Sequence, residues 1–147
     1  MMIKELFDLE IGEGISILNE PFNYVGHAEI ELDNGQEMRW LYDSESRLLT
    51  IAPSDEELMI FTPVEDELEP ENEVILFMNK EYEFSYEDAG TTNEIIAETD
   101  MEEEGPFMFT DYQAAGGGVI RIISNTNTGE SNTYVGQTVS EEDISQM

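Results

Sequence analysis

One histidine, no cysteine and 35 Asp and Glu residues define the chemistry open to this 147-residue chain. Nucleophilic catalysis of the serine type needs a nucleophile, a base and an acid that orients the base, so His27 is the sole candidate base. No GxSxG surrounds a serine. Thiolate chemistry, disulfides and cysteine-ligated zinc are excluded outright. Gly116-Gly117-Gly118 lacks the following Lys-Ser or Lys-Thr of a phosphate loop, and no GxGxxG opens a helix. It reads as a flexible hairpin turn.

Carboxylates are the remaining resource. A calcium site needs six to eight oxygens converging from one loop or neighbouring loops. The densest run, Asp100, Glu102, Glu103 and Glu104, is mostly glutamate and has no glycine where the sharp turn belongs, so it reads as a solvated charge run. Acid and base of a glycosidase are both carboxylates, but no motif selects two of the 35. The expectation is a chain without catalytic, cofactor-binding or metal-ligating residues, its acids forming a hydrated shell.

That shell has physical consequences. With 5 Lys and Arg, the formal charge is -30, which is repelled by nucleic acid phosphates and anionic lipid alike. Direct nucleic acid binding and membrane insertion are therefore not expected. The start MMIKELFDLE carries acids where a secretory signal would be basic, and no run approaches the ~18 apolar residues of a spanning helix. A cytoplasmic location is expected. Disorder is not, because 39% of residues are hydrophobic and 10% aromatic. Charges ~10 Å apart repel by roughly 0.1 kcal/mol after screening, which sums to a few kcal/mol over the excess acids. The urea midpoint should accordingly rise from low to high salt, and an unmoved midpoint would contradict this.

The elements that carry these residues have period two. HAEIELDNGQEMRWLY, residues 27–42, holds two alternating runs around Asp33-Asn34-Gly35. A two-residue Asn34-Gly35 loop sets Leu32 against Glu37 and Ile30 against Arg39. A three-residue loop with Gly35 left-handed pairs Leu32 with Gln36, Ile30 with Met38 and Ala28 with Trp40, and this register is preferred because it gathers an apolar face. It lets Glu29 meet Arg39, opposes Glu31 to Glu37, and turns His27 away from Trp40 as a solvent-facing or edge residue.

A second hairpin, RLLTIAP and LMIFTPV around Ser54 to Glu57, is bounded by Pro53 and Pro63. Ser54 and Glu57 also fit a helical capping box, which the β-rich flanks outvote. VEDELEPENE, residues 64–73, has six acids and a proline in ten residues and reads as a linker. In VILFMNKEYEFSYEDAG a loop at Asn79-Lys80 sets Phe77 against Tyr82 and Ile75 against Phe84, with Tyr82, Phe84 and Tyr86 on one face. Thr91 to Ala97 reads as a further strand. From FMFTDY onward three more strands end near Val139, with turns at Gly116–Gly118 and Asn127-Thr128-Gly129, and Ser140 caps a last helical turn through Asp143. Trp40, Tyr42, Tyr82, Phe84, Tyr86, Phe107, Phe109 and Tyr112 read as core stripes.

The fold expected is mainly β, with antiparallel hairpins closing into a barrel or packing as a two-sheet sandwich and short helical turns at the termini. Residues 1–147 form one domain, in which 1–63 and 74–147 read as two sub-halves joined by 64–73. ISILNEPFNYVGHAEI is a candidate counterpart of VILFMNKEYEFSY.

RWLY at 39–42, KEYEFSYEDAG at 80–90, FTDY at 109–112, VIRII at 119–123 and YVGQTVSEEDI at 134–144 together resemble the bacterial domain-of-unknown-function family 4178, in matching order over about residues 14–144. The resemblance implies a small β-rich cytoplasmic bacterial protein with an accessory role, and transfers no catalytic residue. The functional expectation is a non-enzymatic interaction module docking a basic or amphipathic protein partner, since a field of this sign speeds encounter with cations. Two alternatives stand beside it: a nucleic acid mimic, in which rows such as Glu29 with Glu31 or Glu81 with Glu83 imitate phosphates, and a carboxylate-based divalent-cation binder. The sequence leaves the oligomeric state open.

Overall fold

The computed structural model describes residues 1–101 and 104–147. After a five-residue helix α1 (Ile3–Phe7), eleven strands follow: β1 (Gly14–Ile17), β2 (Glu20–Leu32), β3 (Glu37–Asp43), β4 (Leu48–Ala52), β5 (Glu57–Val64), β6 (Val74–Phe77), β7 (Lys80–Ala97), β8 (Gly105–Ala114), β9 (Gly118–Asn125), β10 (Ser131–Val139) and β11 (Ile144–Gln146). Every pairing is antiparallel. Strands β2-β3-β4-β5-β10-β9-β8-β7 hydrogen-bond in that order and β7 returns to β2, closing an eight-stranded barrel. The barrel, and not the sandwich, is therefore the architecture, and closure removes the edges that two separate sheets would expose.

Strands β6 to β10 repeat the order of β1 to β5. Each half begins with a hairpin, β1-β2 or β6-β7, whose long second strand runs on into the barrel wall. The halves join where β2 meets β7 and β5 meets β10. Ile15 opposite Phe22 corresponds to Ile75 opposite Tyr82, and the turns Leu18-Asn19 and Met78-Asn79 share positive φ at both central residues.

That second turn corrects the expected register. A two-residue hairpin of this twist needs left-handed backbone at both centres, and Asn tolerates it. Asn79 takes the second centre, so Lys80 begins the strand and Phe77 faces Lys80 instead of Tyr82. Thr91 to Ala97 is likewise no separate strand but the end of β7, which runs unbroken through Gly90. A bulge between Phe84 and Tyr86 breaks the expected alternation. Tyr82 and Phe84 stay on the outer face, whereas Tyr86 turns to the Phe109 ring at 5.9 Å on the inner one. Pro63 lies inside β5 instead of bounding it, opposite Tyr134 but beyond the last pair that β4 makes, Leu48 with Phe61. The missing N–H is tolerated because one side of the strand is already an edge there. Ser54 belongs to one 3-10 turn, Pro53–Asp55.

Elsewhere the expected registers hold. Ala28 faces Trp40, Ile30 faces Met38, Glu29 faces Arg39 and Glu31 faces Glu37, with Gly35 at φ +88°. Short helical segments lie near both ends as expected, and the last, Glu141–Asp143, is capped by Ser140 and Asp143.

Three apolar clusters result. Inside the barrel, Ala28, Ile30, Leu32, Met38, Trp40, Tyr42, Phe61, Phe107, Phe109 and Tyr134 fill the lumen, with Trp40 edge-on to both phenylalanines. Over the outer face of β3 to β5, the first hairpin brings Ile15, Ile17, Phe22 and Tyr24 down on Leu41, Leu49, Ile51, Leu58 and Ile60, sealed by Leu6 of α1 and Ile144 of β11. This is why LLTIA is buried at every position instead of alternating: both faces of its strand are covered. The second hairpin does the same for β8 to β10, laying Ile75 and Tyr82 over Tyr112 and Ile120.

Candidate functional site

The least expected residues lie inside the barrel. Asp111 and Arg121 sit opposite each other on β8 and β9, both pointing into the lumen and both almost fully buried. Arg121 Nε donates to Asp111 Oδ1 at 2.7 Å and Nη2 donates to Oδ2 at 2.8 Å, a bidentate fork. The guanidinium is held between the rings of Phe61 and Phe109, 4.9 and 4.5 Å from their centroids. Its Nη1 has no partner among the described residues. A lone charge at this depth is strongly disfavoured, so each group accounts for the other. A hairpin through Gly116-Gly117-Gly118 with Val119 opposite Gln113 places Arg121 against Asp111, so the pair was legible from register. It was missed because period-two arginine reads as an outward residue.

Above this pair the barrel opens into a cavity of about 280 Å³, walled by Leu32, Met38, Met59 and Phe109 and rimmed by Asp55, Glu57 and Tyr86. The bulge in β7 puts Tyr86 there, half-exposed, with its hydroxyl donating to Asp88. That hydrogen bond, then burial, then the nearby Asp88, Asp111 and Asp55 charges, push the Tyr86 hydroxyl up to about 12. Asp88 and Asp55 therefore impose a negative field at this ring, the Asp111 charge being offset by Arg121. Asp55 also accepts from Gln36 Nε2 at 2.9 Å. With Arg121 neutralised by Asp111, the mouth is a negative, partly apolar slot suited to a cationic side chain on an aliphatic stem.

Tyr134 donates to Asp100 Oδ2 at 2.8 Å and is linked to Tyr42, and burial raises the pKa of both tyrosines. A second cavity of about 380 Å³ lies beside them, lined by Thr92, Asp100, Met101, Phe107 and Asn125 among others. Of the acidic run examined as a calcium site, Glu102 and Glu103 lie outside the described residues. Among the described residues no group of three His, Asp or Glu is placed to hold a metal ion, and no helix is long and apolar enough to cross a membrane.

His27 corrects the expectation of an edge or solvent-facing residue. β2 is paired on both sides here, with Leu41 and Ile96 flanking it, so the ring is nearly buried although it does point away from Trp40. The Tyr24 hydroxyl and His27 Nδ1 share a hydrogen bond, and Nε2 lies 3.9 Å from Glu29. Burial first, then the Arg39 charge, lower its pKa, against a smaller opposing pull from Glu29. Between that lowered value and the ordinary 6.5 the unfolded chain binds more protons, so the stability His27 contributes is complete above about pH 6.5 and is lost as pH falls through the folded value. As the chain's one histidine, its NMR titration is unambiguous and should have a midpoint below 6.5.

The surface acids are partly committed. Glu29 is taken by Arg39 Nη2 at 2.7 Å, with the guanidinium over the Phe7 ring at 4.6 Å, as the sequence had suggested for Arg39. Asp43 is buried and holds Arg47 at 2.8 Å while accepting backbone N–H groups from Glu45 and Arg47. Asp43 and Asp111 thus depart from the expected outer shell, because each gains an arginine that offsets its desolvation.

No curated protein and no solved structure matches the chain. A match to a known family extends over residues 14–141, from the first strand of the first half to the last helical turn. The chain therefore belongs to the family described as Domain of unknown function (DUF4178).

Proposed function

We propose that this protein is a non-enzymatic, acidic docking module for a basic or amphipathic protein partner. The observation that carries this reading is the barrel mouth, where Tyr86 stands beside Asp88 and near Asp55 over an apolar well, while the interior cation Arg121 is already neutralised by Asp111. A lysine or arginine of the partner gains ring contact, carboxylate field and stem burial there, and the net charge of -30 steers its approach. Of the two rows on which the mimic reading rests, Glu29–Glu31 presents one free charge instead of two because Glu29 is engaged by Arg39, which leaves it Glu81 with Glu83 on β7.

Titration of the full chain with a lysine-rich peptide tests this. Affinity should fall steeply between low and physiological salt, and Tyr86→Ala should weaken it by about two- to fivefold, the worth of an exposed cation–π contact. An acidic peptide of matched length binding equally well would sink the reading. Displacement of duplex DNA from a purified DNA-binding protein, with no effect of Tyr86→Ala, would favour the mimic.

A further inference from the structure

The two halves of the barrel are finished differently. In the first, the outer strand β1 is itself covered: β11 pairs along its free side, Ile15 with Gln146 and Ile17 with Ile144, and the Leu18 N–H donates to the Asp143 carbonyl at 2.9 Å. In the second half the matching strand, β6, pairs only with β7, and no strand among the described residues takes the place of β11. Side chains report the same gap. Tyr24 is buried, but its counterpart Phe84 is 41% exposed; Leu18 is 39% exposed, but Met78 is 80% exposed, and Leu76 beside it is 70% exposed.

The hairpin register directs the backbone groups of Ile75 and Phe77 toward β7 and those of Leu76 toward the open side, as Ser16 is directed toward Ser145 in the covered half. Glu71 folds back to bond Val74, leaving Ile75 to Met78 as an open edge one residue longer than β11. Native sheets seldom leave such an edge with apolar neighbours unprotected. Here it is flanked by Glu69, Glu71 and Glu73 on one side and by Glu81 and Glu83 on the next strand.

We infer that the free edge of β6 accepts an extended segment of the basic partner as an added strand, in the way β11 is accepted by β1. This rests on the docking reading and adds to the barrel mouth a second point at which the partner engages. The occupant lays Lys or Arg residues over Leu76, their stems on the leucine and their charges at Glu81 and Glu83 on the same face, and alternates them with apolar residues that extend the opposite face of Ile75, Phe77 and Phe84. A second copy of this chain is a poor occupant, since it would set the same acids against one another.

The test uses the full chain, ¹⁵N-labelled, with three synthetic peptides: one alternating lysine and valine, the same peptide N-methylated at alternate amides, and a glutamate–valine analogue. The lysine peptide should shift the Leu76 and Met78 amides and slow their hydrogen exchange, and N-methylation should weaken it about tenfold. Equal binding of the methylated peptide overturns strand addition while leaving the docking reading intact. Pairing of the glutamate peptide at the same edge with equal affinity overturns the docking reading while leaving the edge. Protection of Leu76 without peptide, together with dimers in sedimentation, overturns the assignment of the occupant; absence of binding by all three at low salt overturns the inference itself.

Discussion

Asp111→Ala is expected to cost this protein about 3–5 kcal/mol of stability, because it strands the Arg121 charge in the barrel lumen. A domain of this kind has only about 5–15 kcal/mol in total, so the urea midpoint should fall by about a fifth or more of its value. The pair itself is a different matter. Coulomb attraction between Asp111 and Arg121 is offset by the desolvation of both, so removing the two together, as Asp111→Leu with Arg121→Met, should be nearly neutral or stabilising. Met in place of Arg121 keeps contact with Phe61 and Phe109, whose rings now sandwich the guanidinium. The double-mutant cycle should therefore show strong coupling. If the single variant and the double variant lose stability equally, the interior pair is not what the geometry indicates. The double variant also alters the floor of the mouth and removes the Asp111 charge from the surroundings of Tyr86, without substituting Tyr86, Asp55 or the β6 edge.

Gly136→Ala should be the most damaging single methyl addition on the surface of the fold. Gly136 lies on β10 opposite Phe61, at one of the two seams that join the halves, and a Cβ there would meet the Ile60 carbonyl oxygen at 2.0 Å and Phe61 Cδ1 at 2.7 Å. A backbone carbonyl in the barrel wall cannot swing aside as a side chain can. Overpacking of this sort costs about 3 kcal/mol or more, read as a loss of melting temperature. Gly116→Ala, which meets open space, serves as the control and should change stability by less than about 0.5 kcal/mol. The second seam has the same device: a Cβ at Gly26 would meet the Glu98 carbonyl oxygen at 2.2 Å, and one at Gly90 that of Glu31 at 2.5 Å. Glycine at these positions lets neighbouring strands approach closely enough to turn the corner of the barrel.

Local chemistry made much of this readable in advance. The Asp33-Asn34-Gly35 turn and its register followed from which pairing gathers apolar side chains, and the Glu29–Arg39 contact followed from that register. Asn79 misled, because a loop at Asn79-Lys80 and one at Met78-Asn79 differ by a single residue and the alternation on either side is consistent with both. The matching turn at Leu18-Asn19 was the available guide. His27 misled for another reason. Facing away from Trp40 does not mean facing water when Ile96, nearly seventy positions later, lies alongside on the neighbouring strand.

Composition and alternation were enough to establish a β chain with an aromatic interior, no thiol chemistry, one histidine and a strongly negative field, because each is a property of residues and their nearest neighbours. Long-range pairing decided the rest. Closure of β2 onto β7 and of β5 onto β10 brought Asp111 and Arg121 inside, bent Tyr86 to the mouth through a bulge, and left β6 bare where β1 is covered. Those outcomes depend on contacts between segments far apart in the chain, whose register is set by the packing of the whole lumen and by no single stretch of sequence.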